Sequence, residues 1–200
     1  MNPNAGFSNS GTLGPLKAAL RLARKFHAGQ VRKGPGGEAF FHHPRRVCKC
    51  YLAFRFKTLE GAVASLCHDL VEDTSLECGE LGRYFGKTVQ RYVWELTKPW
   101  NLSSDKYGES IPLWSLESKK IKLCDIEDNI LGSRKIPDGQ RLRMLSRWGK
   151  YLDPLRKVSL AHREQEMEYR EKWQFVYDLH SLEWNRLKGQ TGLGPMEDSK

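Results

Sequence analysis

Wherever apolar residues recur in a regular rhythm along this chain, the rhythm is that of an α-helix. Leu16, Ala19, Leu20, Ala23 and Phe26 follow one another at three- and four-residue steps, as do Leu59, Ala62, Val63, Leu66 and Leu70, and again Leu116, Leu123, Ile126 and Ile130. At about 100° per residue such spacing gathers side chains on one face of a helix. No segment sustains the alternation of period two that a half-buried strand requires. A chain patterned this way is expected to be all-α. Its 200 residues suit one domain and can bury a sizeable core.

Glycine, proline and polar clusters divide the helical stretches. Residues 1–12, rich in Asn, Ser and Gly, read as a disordered lead. Pro15 suits a first helical turn, and that helix should run to about Ala28. Gly29 to Glu38 is a glycine-rich loop. The next helix is expected after His43-Pro44, since a residue before proline is pushed out of the helical region. Further helices are expected from Leu59 to about Asp73-Thr74, from Leu76 to Phe85, from Thr88 to Leu96 and from Leu116 to Leu131. Trp100 to Gly108 reads as a flexible polar loop. A helix should open at Pro137 and run to Tyr151, with Pro154 as punctuation. The last and longest, Leu155 to Leu187, carries Trp173, Phe175, Val176, Leu179 and Trp184. The expected organisation is a lead (1–12), one domain (13–154), a C-terminal helical extension (155–188) and a loose tail (189–200).

Composition narrows the function classes. No run of 18 apolar residues exists, so no membrane-spanning helix is expected. The N-terminal stretch lacks the basic start and apolar core of a signal peptide. The five cysteines, Cys48, Cys50, Cys67, Cys78 and Cys124, are odd in number and mostly set in apolar surroundings. They read as reduced thiols of a cytoplasmic protein. The net charge of +9 is uneven: residues 1–60 hold eleven Lys and Arg against Glu38 and Glu60, and the remainder is close to neutral. Such a field favours an anionic partner, such as a nucleotide.

The densest chemistry lies in His68-Asp69-Leu70-Val71-Glu72-Asp73. On a continuous helix, His68, Asp69 and Glu72 would share roughly a 100° arc opposite the apolar stripe, with Asp73 at its border. Three acids in a last helical turn repel one another and oppose the macrodipole. A bound cation relieves both, and imidazole with carboxylate suits a borderline or hard divalent ion. A polar helix end facing water is the plain alternative. Further along, Ser118, Lys122, Asp125 and Asn129 share a face. The Asp can serve as a ligand and the Asn as a hydrogen-bonding group for substrate. His42-His43-Pro44 adds an imidazole at the mouth of a helix. Arg32 and Lys33, with Arg24 and Lys25 before them, are cations suited to phosphate.

Together these segments resemble the hydrolase domain of the RelA/SpoT family, within the HD phosphohydrolase superfamily. The resemblance rests on Ala28-Gly29-Gln30-Val31-Arg32-Lys33, Gly37-Glu38, His43-Pro44, His68 to Thr74, Tyr84-Phe85-Gly86, Leu96-Thr97-Lys98 and Ile121 to Asp125, in order, over about residues 16–152. It implies a single HD-domain helical bundle with an added C-terminal helix. It implies one divalent ion, Mn²⁺, held by His43, His68, Asp69 and Asp125. Glu72 and Asp73 fall on the family's catalytic acidic pair, which handles the attacking water, and Arg32, Lys33 and Asn129 fall where the nucleotide is contacted. The implied protein is a stand-alone small alarmone hydrolase of the cytoplasm. It would remove the 3′-pyrophosphate from ppGpp or pppGpp to leave GDP or GTP.

Two departures bear on substrate rather than on the ligand set. The family reads Leu-Ala-Asp-Arg at the last ligand, followed by Asn-x-Arg-Thr. Here the chain reads Leu123-Cys124-Asp125-Ile126 and Asn129-Ile130-Leu131-Gly132. Competing readings are therefore an HD hydrolase of another phosphorylated substrate (ppApp, NADPH or a pyrophosphorylated RNA end) and an antitoxin-like partner of an alarmone synthetase docking through the last helix. Nucleic-acid binding is a weaker competitor, because no helix-turn-helix reading is persuasive. No membrane partner is expected, and the oligomeric state is left open.

Overall fold

The computed structural model describes residues 13–34, 36–158 and 162–191. The expected lead of residues 1–12 and the end of the expected tail, 192–200, lie outside the described residues. The architecture is all-α, and the one extended pairing among the described residues is an isolated antiparallel bridge between Val31 and Ala39.

The bundle is built around α3 (Leu59–Cys67), in which every residue from Gly61 to Cys67 is buried. It starts cleanly because the Thr58 side chain accepts the Gly61 N–H at 3.0 Å, an N-cap that satisfies one of the free donors of the first turn. Gly61 is required there: a Cβ would run into the hydroxyl of Tyr51. That hydroxyl comes from α2 (His42–Leu52) and donates to Glu117 on α8 (Leu116–Gly132), so the three helices meet at one buried polar point. α1 (Leu13–Phe26) and α6 (Lys87–Leu96) complete the wall around α3. Between them α5 (Cys78–Phe85) ends at Gly86, whose φ of 87° lies in the left-handed region that glycine enters without strain.

Several boundaries differ from expectation, each for a physical reason. His43 is not pushed outside α2 but lies in its first turn, with its N–H bonded to the Phe40 carbonyl at 2.9 Å. Pro44 is tolerated because first-turn residues need no helical N–H partner. The helix from Leu59 does not run unbroken to Asp73. It stops at Cys67, turns at His68 and Asp69, and resumes as the single turn α4 (Leu70–Asp73). His68 therefore faces the interior, 3% exposed, not a solvated face.

Trp100 to Gly108 is only partly a loop: α7 (Ser104–Ser110) starts where Ser103 accepts the Lys106 N–H at 3.2 Å. Tyr107 anchors it. The ring is buried edge-on against Trp114 and Tyr151, and its hydroxyl donates to the Leu96 carbonyl. One aromatic among polar neighbours gives no periodic signal, which is why the spacing hides this helix.

α9 (Asp138–Arg156) continues past Tyr151 and contains Pro154 in its last turn. Pro154 cannot donate to the Lys150 carbonyl, and Gly108 packs beside that group, with room for a Cβ only 3.4 Å from the oxygen. The last helix, α10 (Arg163–Thr191), starts later than expected and extends through Gly189. It packs on α8 and α9 through Tyr169, Trp173, Val176 and Leu187. Trp173 donates to the Leu152 carbonyl at 2.8 Å and Tyr169 to that of Leu155 at 2.7 Å. Phe175 points away and is 52% exposed. No helix among the described residues is long and apolar enough to cross a membrane.

Candidate metal centre and active-site cleft

The break between α3 and α4 is what builds the site. It turns His68 and Asp69 toward α2 and α8, where His43 and Asp125 meet them. Nε2 of His43 lies 3.3 Å from Asp69 Oδ2 and 3.1 Å from Asp125 Oδ1. Nε2 of His68 lies 3.2 Å from Asp69 Oδ1 and 3.7 Å from Asp125 Oδ1. Ligand atoms of His43, His68 and Asp69 all fall within 4.8 Å of one another. The four residues expected to form the ligand set thus converge from three separate stretches of chain.

The donor chemistry of the cluster fits a divalent cation. His68 Nδ1 lies 2.9 Å from the Ser65 carbonyl, which can only accept, so that nitrogen carries the proton. Its buried Nε2 makes no well-formed hydrogen bond and faces the Asp69 and Asp125 carboxylates, so it carries a proton when the ring is charged and offers its lone pair to an ion when the ring is neutral. A buried polar atom left unpaired is costly and points to a function.

The electrostatics agree. Burial disfavours the charged form of His43, but hydrogen bonds with Asp125, Asp128 and Asp69 outweigh it and carry its pKa up to about 10. His68 is likewise raised against the effect of burial by Asp69 and Asp125. Burial pushes the Asp69 and Asp125 carboxyls up, yet the imidazoles, and for Asp125 also Lys122, hold both below the usual carboxylate range. The carboxylates demand positive charge between them. Two imidazolium protons meet that demand, and so does one divalent ion between neutral rings.

Of the cluster, His43, Asp69 and Asp125 line a cleft of ≈ 560 Å³, a size suited to a small ligand, and His68 is buried beside them. Glu72 and Asp73 line it as expected. The Lys98 N–H donates to Glu72 at 2.9 Å. Burial, Asp69 and Glu72 raise the Asp73 carboxyl to about 6. Its residue remains open to solvent along the cleft, so water screens part of that effect.

Arg32, Lys33 and Asn129 line the walls, whereas Arg24 and Lys25 do not. Arg32 is not a free cation: it donates to Asn129 Oδ1 at 2.8 Å and to Asp128 at 3.2 Å. Asn129 in turn donates to Asp125 Oδ1 at 2.5 Å, and Lys122 to Asp125 Oδ2 at 2.9 Å. Ser118, expected on the same face, sits apart from the cleft and bonds to Ser115 and the Tyr92 carbonyl.

The sequence reading passed over four contributors. Asp128 contacts His43, Arg32 and Arg46. His27 and Gln30 form a chain in which Nδ1 of His27 donates to the Gln30 side chain at 2.7 Å and Gln30 donates to the Asp73 carbonyl at 2.8 Å. Arg147 brings a cation from α9. Gln30 was within the matched motif, so a signal existed. Arg147 and Asp128 were surrounded by other charges and carried none.

No family model matches the sequence. The chain is 30% identical over 149 residues to the guanosine-3′,5′-bis(diphosphate) 3′-pyrophosphohydrolase MESH1 of Danio rerio, covering 70% of this chain and 83% of that protein. The human MESH1 is 34% identical over 136 residues, covering 62% and 72%. The bifunctional (p)ppGpp synthase/hydrolase SpoT of Escherichia coli K12 is 36% identical over 83 residues, and the chain spans only 11% of its length. A solved structure of a metazoan ortholog of SpoT matches with a TM-score of 0.67, over 95% of this chain and all of that one, at 22% identity. At that identity the likeness speaks for the all-α HD-type fold alone. The two MESH1 alignments carry the assignment: the chain belongs to the MESH1-type family of guanosine-3′,5′-bis(diphosphate) 3′-pyrophosphohydrolases.

Proposed function

We propose that this protein is a metal-dependent hydrolase that removes the 3′-pyrophosphate from ppGpp or pppGpp, leaving GDP or GTP, and that its ion is Mn²⁺. The observation that carries the reading is the meeting of two imidazoles and two carboxylates, three of the four lining a cation-lined cleft, in a chain of this family. His43, His68, Asp69 and Asp125 hold the ion, which when bound lowers the pKa of water and offsets charge on the phosphoryl group.

The chain's own residues do the rest. Glu72, fixed by the Lys98 N–H, orients the attacking water. Asp73 takes its proton, with a carboxyl whose affinity for protons is raised toward neutrality. The water oxygen bonds to the phosphorus attached to the ribose 3′ oxygen. That phosphorus–oxygen bond breaks, the 3′ oxygen is protonated, and pyrophosphate departs. Lys33 and Arg147, which line the cleft without an ion pair among the described residues, attract the phosphates. Asn129 and Arg32, which also line the cleft, contact the nucleotide, and Trp148 and Tyr151 line it with aromatic surface for the base.

Incubation of chelator-stripped protein with ppGpp, with and without Mn²⁺, tests the proposal. GDP and pyrophosphate should appear only with the ion. Absence of both products under all divalent ions would remove the assignment. A parallel panel of ppApp, NADPH and 5′-triphosphorylated RNA decides whether Leu131 and Gly132 have redirected the site.

A further inference from the structure

We propose that Asp128 is the positioning residue of this metal centre: it determines which ring nitrogen of His43 faces the ion, and it ties that ligand to the arginine on the cleft wall. The inference rests on the reading that His43, His68, Asp69 and Asp125 hold a divalent cation.

A neutral imidazole has one proton and two nitrogens. It ligates through Nε2 only while the proton sits on Nδ1, and an acceptor beside Nδ1 is what keeps it there. His68 finds that acceptor in its own helix, the Ser65 carbonyl. His43 does not. It lies in the first turn of α2, and the Phe40 carbonyl three residues back is already taken by its own N–H. Its Nδ1 instead meets Asp128 Oδ2 at 2.7 Å. The ring is thereby aligned so that Nε2 lies 3.1 Å from Asp125 and 3.3 Å from Asp69.

Asp128 is well placed to do this because it stands three residues after Asp125 on α8, so ligand and orienter share one rigid face. It is itself held. Arg46 donates to Oδ1 at 2.6 Å and to Oδ2 at 3.2 Å, and Glu38 takes the far end of Arg46 at 2.5 Å. Arg32 donates to the same Oδ2 at 3.2 Å. Gly132 packs beside Arg32: a Cβ there would come within 3.3 Å of the guanidinium, a contact the side chain relieves with a small shift. The carboxylate also makes His43 a more basic ligand than a carbonyl would. An ion pair serving stability alone would need Arg46 and no imidazole.

Binding of Mn²⁺ to the full chain, followed by the loss of the free-ion electron paramagnetic resonance signal, tests the role without reference to turnover. Asp128→Ala should weaken Mn²⁺ affinity about 10- to 100-fold while circular dichroism in chelator matches the wild type. Asp128→Asn keeps an oxygen to accept from Nδ1 but lacks the charge, and should lose about threefold. With Zn²⁺ as a diamagnetic probe, long-range ¹H–¹⁵N spectra should show His43 protonated at Nδ1 in wild type and Asp128→Asn, and a mixture in Asp128→Ala. Wild-type affinity in both variants overturns the role of Asp128 and leaves the metal reading standing. Failure of the wild type itself to bind any divalent ion removes the metal reading and this inference with it. If Asp128→Ala does not fold, Asp128→Asn decides, and an unchanged affinity there is the overturning result.

Discussion

The two raised imidazoles make metal binding a proton exchange. His43 holds its proton up to about pH 10 in the metal-free protein, and His68 is shifted in the same direction. Both must be neutral to ligate. At pH 7.5, calorimetry of Mn²⁺ binding in buffers of different ionisation enthalpy should therefore show release of the His43 proton, about one per ion, plus whatever fraction His68 still holds, and affinity should climb as pH rises. Asp73 titrates in the opposite setting. Its raised carboxyl, about 6, is ionised above that pH and protonated below it. If it accepts the proton of the attacking water, kcat falls as pH drops through its pKa. A cation held beside it by Asp69 favours the carboxylate, so the limb in the loaded enzyme should lie below 6. Asp73→Asn should cut kcat by roughly 10²- to 10⁴-fold and abolish the limb, with circular dichroism unchanged. An active variant that keeps the limb would show another group to be the base. The His68 to Asp73 string was legible because its residue types are contiguous and chemically dense. Asp128 was not, since an acid in a mixed-charge helix acquires meaning only from the imidazole and guanidinia folded against it.

Helices with a one-sided apolar rhythm, α1 and α6, were legible within a few residues because their burial and their spacing coincide, and α8 was legible from Leu116, Leu123, Ile126 and Ile130 although its Ser118, Lys120 and Asp125 are buried as well. The break at His68 was hidden: α3 is buried on all sides, so its sequence reads as an uninterrupted helix, and the interruption serves the site instead of the pattern. α7 was hidden for the reverse reason, since one residue, Tyr107, secures it. Its ring meets Trp114 at 5.2 Å and Tyr151 at 5.5 Å. Tyr107→Ala should cost about 3–5 kcal/mol, the range for truncating a buried aromatic. Tyr107→Phe, which loses only the hydroxyl bond to the Leu96 carbonyl, should cost about 1 kcal/mol. Urea denaturation of the two variants checks the ratio. Because Tyr107 and Lys98 both line the cleft, hydrogen exchange should show early loss of protection in α7 and in the Lys98 N–H that holds Glu72.

Across the whole molecule, charge and site are arranged with respect to one another. The excess of +9 falls in residues 1–60, whose cations run from Lys17 on α1 through the Gly29–Glu38 loop and α2 to Lys57. That loop is clamped by Arg32 N–H to the Glu38 carbonyl at 2.8 Å and Phe40 N–H to that of Gln30 at 2.9 Å, so Lys33 is presented at the cleft and not left to wander. On α10, Glu183 pairs with Arg134, Arg141 and Arg186 and so offsets one of their three charges. Lys33 and Arg147 line the cleft without an ion-pair partner among the described residues, so a polyanion that reaches the mouth meets uncompensated positive charge. Steering of this kind is screened over a Debye length of about 8 Å at 0.15 M salt. For ppGpp, kcat/KM should therefore fall several-fold between 0.05 and 0.5 M KCl while kcat stays within about twofold. Lys33→Glu and Arg147→Glu should each flatten that salt dependence, because each removes a cation from the path. A slope unchanged in both variants would place the attraction in the metal centre alone.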